Sequence, residues 1–109
     1  MLPSYPQSKS TTIIPLEGSL DIGKKTTFKQ ELWAKTPEGV KKVVLDFGKV
    51  GFIDSACLGI IIGFSRQLKE KGIDLVIAAP NEEVRSIFQI TRLDKIFSIF
   101  DSVQEAMSQ

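Results

Sequence analysis

Residues 42–59 read Lys-Val-Val-Leu-Asp-Phe-Gly-Lys-Val-Gly-Phe-Ile-Asp-Ser-Ala-Cys-Leu-Gly. Lys42 to Phe47 has a continuous apolar centre, the pattern of a strand covered on both faces. Gly48-Lys49-Val50-Gly51 reads as a turn region, and at Phe52-Ile53-Asp54-Ser55 a short strand gives way to a helix. Ser55 stands where an N-cap belongs, and the helix runs to about Lys71 and stops at Gly72. A helix start aims backbone N–H groups and the positive end of the helix dipole at whatever stands there, so it suits an anion or a phosphate. The candidate anion here is a phosphate carried by Ser55 itself.

Outward from this junction the chain alternates strand and helix. Thr11 to Leu16 is β-branched and apolar, with Glu17-Gly18-Ser19-Leu20-Asp21 as strand exit and turn. From Ile22 to about Thr36, Ile22, Phe28, Leu32 and Trp33 recur at helical spacing before Pro37 and Gly39. Ile73 to Ala79 is a second buried strand ended by Pro80. Asn81 caps a helix through Ile90 with Val84, Ile87 and Phe88 inward. Ile96 to Ile99 is a short strand, and Asp101 or Ser102 caps a last helix carrying Val103, Ala106 and Met107. Residues 1–10 form a loose arm or an edge strand, and residues 11–109 one domain. The predicted architecture is α/β, with a mixed, largely parallel sheet of four to five strands packed against about four helices.

Composition narrows the function. The 109 residues, 42% hydrophobic, suffice for one core. Lys and Arg total 14 against 13 for Asp and Glu, a net charge of +1. No basic run could neutralise a string of phosphates, which argues against direct nucleic-acid binding. The apolar run Leu58 to Phe64 is broken by Gly59 and Gly63, and Met1-Leu2-Pro3-Ser4-Tyr5-Pro6 lacks the regions of a signal peptide. A cytoplasmic protein with no membrane span is expected. The single cysteine cannot form an internal disulfide. With no histidine at all, the chain lacks Ser-His and Cys-His nucleophile pairs, the commonest transition-metal ligand and the usual neutral-pH base. Neither a metal nor a cofactor is called for, and most hydrolytic chemistries are disfavoured.

The junction residues carry competing readings. Ser55 as an N-cap is worth roughly 1 kcal/mol; Ser55 as a phosphoacceptor would gain about −1.5 to −2 charges beside Asp54. The two are compatible, and together they make a binding switch. Cys57 lies in the first helical turn, where the dipole favours a thiolate. With no histidine and no second cysteine, a small apolar residue is the better reading. Gly59 and Gly63 lie four apart on one helix side, commonly for close backbone packing and more rarely for a partner. Leu58, Ile61, Ile62 and Leu68 form the inward stripe, and Ile60 and Phe64 extend it to a flank; core packing is the default reading of these two, and exposed apolar contacts beside Ser55 are the alternative.

Gly18-Ser19-Leu20-Asp21, Val44-Leu45-Asp46-Phe47, Phe52-Ile53-Asp54-Ser55, Leu58-Gly59 and Thr91-Arg92-Leu93-Asp94-Lys95-Ile96-Phe97, taken in order, resemble the STAS domains of bacterial anti-sigma factor antagonists. The similarity runs from about Thr11 to Met107, and the Asp-Ser pair followed by Leu-Gly is its most specific segment. The resemblance implies a non-enzymatic switch. The unmodified antagonist binds a histidine-kinase-like ATPase that is both anti-sigma factor and serine kinase, and sigma factor is freed. Phosphorylation of Ser55 breaks that complex and a PP2C-type phosphatase restores it. It further implies that Asp54 neighbours the kinase contact and that Asp21 belongs to the adjacent loop surface, with Ala56, Cys57, Leu58, Gly59, Ile60 and Phe64 completing the partner-binding side. Ala56 and Cys57 depart from the usual Ser or Thr followed by Gly, so Cys57 is expected to add a side chain where the kinase approaches. Ser19 stands for a common acidic residue, and Arg92 replaces a usual glycine at a left-handed helix end.

Two other functions compete. A constitutive STAS scaffold subunit of a transport or stress-sensing complex would bind its partner whatever the charge on Ser55. Thiol redox chemistry at Cys57 would require a thiol reacting with iodoacetamide well below the ordinary thiol pKa of about 8.5.

Overall fold

The structure, a computed structural model, describes residues 10–21 and 25–108. The arm expected of residues 1–10 therefore falls, apart from Ser10, outside the described residues, as does Ile22. The order is β1 (Thr11–Leu20), α1 (Lys25–Ala34), β2 (Lys42–Ile53), α2 (Ser55–Glu70), β3 (Asp74–Ala78), α3 (Glu82–Ile90), a 3₁₀ turn (Leu93–Lys95), β4 (Ser98–Phe100) and α4 (Val103–Ser108). The four described strands form one sheet in the order β1-β2-β3-β4, every neighbouring pair parallel.

Parallel neighbours require crossover connections, and here α1, α2 and α3 supply them on one face. Val43, Leu45 and Phe47 of β2 and Leu75 and Ile77 of β3 join Phe28, Leu32, Ile61, Phe64, Leu68, Val84 and Phe88 in the main core. The alternate residues Val44, Val76 and Ala78 meet Val103 and Ala106 of α4 on the other face. Period-two alternation with both faces covered is why the centre of β2 is apolar without interruption. Lys42 extends this second face by donating from Nζ to the Ala106 carbonyl.

Two strands run longer than their sequence suggests. The segments read as turns, Glu17 to Asp21 and Gly48 to Gly51, are largely paired: Glu17 lies opposite Lys49, Gly18 opposite Val50, Ser19 opposite Phe52 and Leu20 opposite Ile53. The β2–β3 ladder ends at Asp46 opposite Ala78, so β1 and β2 continue past the sheet as a two-stranded ribbon. Register shifts after Pro15 and Gly18 absorb the mismatch. Gly18 takes φ +80°, as a bulge of this kind favours, and Pro15, which has no N–H to give, sits at the other irregularity. Half-exposed and interrupted by Gly48 and Gly51, the ribbon loses the hydrophobic signal that marks a strand.

Helix ends are built locally. Beyond α2, Gly72 at φ +77° donates to the Lys69 carbonyl and Ile73 to the Leu68 carbonyl, both at 2.9 Å. This is the paired pattern of a Schellman motif, with Ile73 packed on the core. Asn81 caps α3, its Oδ1 accepting from the Val84 N–H at 2.7 Å while Nδ2 donates to the Val50 carbonyl at 3.2 Å. Ser102 Oγ accepts from the Glu105 N–H at 3.1 Å, settling the cap of α4 on Ser102. Arg92, just past α3, is left-handed at φ 63°. A non-glycine residue there costs roughly 1–2 kcal/mol, partly offset by the greater unfolded-state freedom of glycine. Arg92→Gly is therefore expected to stabilise the domain by about 0.5–1 kcal/mol, read as a higher midpoint in thermal unfolding.

Candidate functional site

The ribbon carries the junction at its tip. The Asp54 N–H donates to the Leu20 carbonyl at 2.9 Å, so the end of β1 holds the residue at which β2 hands over to α2. Asp54 is extended (φ −99°, ψ 176°), and its Oδ1 accepts from the Cys57 N–H at 2.9 Å. Its carbonyl takes the first helical bond, from Leu58 at 3.0 Å. Asp54, not Ser55, is therefore the N-cap, which corrects the sequence reading by one residue. Both residue types cap well; the tether to Leu20 selects Asp54 as the last extended residue.

The correction changes what Ser55 is. As the first helical residue it does not use its hydroxyl for capping. Its side chain is exposed, and among the described residues its hydroxyl makes no hydrogen bond. Asp54, which precedes it, and Asp21, just past the end of β1, are both half-buried. Ala56 is half-buried beside it.

Cys57 does not stand where a partner would approach. It is fully buried, and its Sγ donates to the Asp21 carbonyl at 3.4 Å, joining the first turn of α2 to the end of β1. Leu58 is buried as well. The expected partner contacts at these two positions are thus corrected: their side chains belong to the core. Phe64 is corrected in the same way, being 1% exposed. The Trp33 ring meets it edge-on at 5.0 Å and 87°, and this contact from α1 draws it inward. Ile60 is half-buried and keeps an accessible edge.

A groove of about 620 Å³ lies between α1 and α2, walled by Lys29, Ala56, Gly59, Ile60, Gly63 and Gln67, with Phe64 at its floor. A Cβ placed on Gly59 or on Gly63 would meet nothing within 4 Å. Close packing, the commoner explanation of such glycines, is therefore excluded at both. An exposed glycine inside a helix costs about 0.5–1 kcal/mol relative to alanine. Gly59→Ala and Gly63→Ala are each expected to raise stability by that amount, seen in urea titration as a higher midpoint at unchanged slope.

Phe52 was not singled out from the sequence. Phe52 is 43% exposed on the ribbon, opposite Ser19 and two positions before Asp54. Its signal was present: with Ile53 turned into the core, the preceding strand residue faces out. Among the described residues no group of three or more His, Cys, Asp or Glu is arranged to hold a metal ion. Nor, among them, is any helix long and apolar enough to cross a membrane.

Residues 3–106 match the family model of the STAS domain. The chain belongs to the STAS domain family. This STAS domain is 33% identical over 72 residues to a candidate anti-sigma factor antagonist of Thermotoga maritima, a match spanning 66% of this chain and 64% of that relative's length. It is 30% identical over 91 residues to the candidate anti-sigma factor antagonist BtrV of Bordetella bronchiseptica, covering 84% of this chain and 78% of the relative. The crystal structure of a candidate anti-sigma factor antagonist from Thermotoga maritima matches with a TM-score of 0.85 at 28% identity, over 95% of this chain and 90% of that one. The phosphorylated form of the Bacillus cell fate determinant SpoIIAA shares the fold at 22% identity and a TM-score of 0.69, over 95% and 94% of the two chains.

Proposed function

We propose that this STAS domain is an anti-sigma factor antagonist whose partner binding is switched by phosphorylation of Ser55. The observation that carries this reading is the Ser55 hydroxyl: exposed, released from capping by Asp54, and placed at a helix start beside an open groove. The names of the relatives support the role, and the burial of Cys57 removes the obstacle that its side chain would have posed. The domain acts as substrate and ligand in the cytoplasm, with no catalysis of its own.

In the unmodified state the surface around Ser55, with Phe52, Ile60 and the glycine face of α2, docks an ATPase-type serine kinase that otherwise holds a sigma factor. In the transfer step the Ser55 oxygen bonds to the γ-phosphorus of ATP, the bond to ADP breaks, and the hydroxyl proton passes to a base of the kinase. A PP2C-type phosphatase returns the hydroxyl by hydrolysis. Incubation with ATP and such a kinase, followed by mass analysis of peptides, tests the site. One phosphoryl group is expected on Ser55 and none on Ser55→Ala. A phosphate that persists elsewhere in Ser55→Ala overturns the assignment.

A further inference from the structure

Resting on that functional reading, we propose that Asp54 is a positioning residue for the phosphorylation of Ser55, acting as a neutral-tolerant helix cap and not through its charge. Its carboxylate is already engaged. Oδ1 holds the Cys57 N–H at 2.9 Å, while the backbone N–H of Asp54 is committed to Leu20. These two bonds fix the backbone on either side of Ser55, one through the side chain and one through the main chain. Only the first depends on residue type.

The consequence falls on the direction of the Ser55 side chain. A helical Cα–Cβ bond tilts toward the N-terminus, so at the first helical position the hydroxyl projects past the end of α2, out over the junction. Without the cap the first turn frays, and Ser55 regains backbone freedom while remaining tethered by Asp54 and Leu20. In-line transfer needs the attacking oxygen held within about 3–3.5 Å of the phosphorus, and a misplacement of the order of 1 Å is costly.

The same chain shows that charge is dispensable for this task. Asn81 caps α3 from the same backbone conformation (φ −72°, ψ 175°) with a neutral amide oxygen, accepting at 2.7 Å from the N–H three residues on. Asn in place of Asp54 can therefore keep the bond to Cys57.

Four forms separate cap from charge. Asp54→Asn keeps the cap and loses the charge. Asp54→Glu keeps the charge, but its extra methylene carries the carboxylate off the Cys57 N–H. Asp54→Ala loses both, and wild type has both. Each is assayed with ATP and an ATPase-type anti-sigma factor serine kinase that phosphorylates the wild-type chain. The readouts are kcat/KM for Ser55 and hydrogen exchange of the Cys57 amide, at a temperature where all forms are folded. Asp54→Asn is expected within about twofold of wild type. Asp54→Ala and Asp54→Glu are expected to fall about fivefold, the ratio to which ~1 kcal/mol of lost capping converts, with faster exchange at Cys57.

Ser102→Ala is the control for a purely structural effect. It removes a side-chain cap from α4, on the other face of the sheet, and should lower the melting temperature while leaving Ser55 phosphorylation unchanged. Loss of activity in Asp54→Asn with retention in Asp54→Glu would show that charge acts, and equal rates in all four forms would show that the cap does not matter; either result overturns the proposal. If no ATPase-type anti-sigma factor serine kinase places a phosphate on Ser55 of the wild-type chain, the functional reading itself is overturned, before any variant is compared.

Discussion

A phosphoryl group on Ser55 is expected to weaken docking of the kinase-like partner by roughly a hundredfold or more. The modification places about −1.5 to −2 charges beside Asp54, on a side chain that is exposed in the free domain and would be covered in the complex. Covering a phosphate beside a like charge costs several kcal/mol, and about 2.8 kcal/mol already corresponds to a hundredfold change. The domain itself is spared that cost. The dipole of α2 favours negative charge at its start by about 0.3–1 kcal/mol, so the modified domain should melt within a few degrees of the unmodified one. Titration calorimetry of the two forms against the same partner measures the difference. Ser55→Ala should bind within a few-fold of wild type, and Ser55→Asp, with one charge and a planar group, should lie between. A partner held equally by both forms would identify a constitutive scaffold.

What the sequence revealed, and what it concealed, follow from one physical fact: hydrophobic pattern reports burial. The β2 core, the α2 terminus at Gly72 and the Asn81 cap were all legible because each is set by neighbours in the chain. The ribbon was read as two turns because Gly48, Lys49 and Gly51 face solvent beyond the end of β3. The choice between Asp54 and Ser55 as cap was beyond local reading, since a carbonyl from β1, more than thirty residues away in sequence, decides it. Phe64 was placed at an exposed flank because a helical wheel contains no Trp33 to press against it. Cys57 shows the same dependence: its partner is the Asp21 carbonyl, and its burial could be recognised only once β1 had been brought to the start of α2. Where contacts come from distant segments, residue spacing names candidates without ranking them.

The largest loss of stability is expected from Phe88→Ala. Phe88 is fully buried in α3, and its ring meets Phe47 of β2 at 5.9 Å and 77° and Phe97, just before β4, at 6.1 Å and 86°. Three separate segments are thus joined through one side chain. Truncating a buried phenylalanine typically costs about 3–5 kcal/mol, because the lost transfer energy is joined by that of an incompletely collapsed cavity. Edge-to-face pairing adds a geometric preference that smaller side chains cannot reproduce, about 0.5–1.5 kcal/mol within that total. Domains of this size hold only about 5–15 kcal/mol in all, so from about a fifth to nearly all of the stability is at stake. The melting temperature should fall by roughly 10–20 °C, and the urea midpoint should drop at an unchanged slope. Phe52→Ala supplies the contrast, since an aromatic ring 43% exposed on the ribbon should cost less than about 1 kcal/mol. If Phe88→Ala lost no more than Phe52→Ala, the Phe47-Phe88-Phe97 stack could not be what holds α3 and the approach to β4 against β2. A loss of the expected size confined to Phe88→Ala would place the hold on α3 and the approach to β4 in this buried ring and not in the exposed ring on the ribbon.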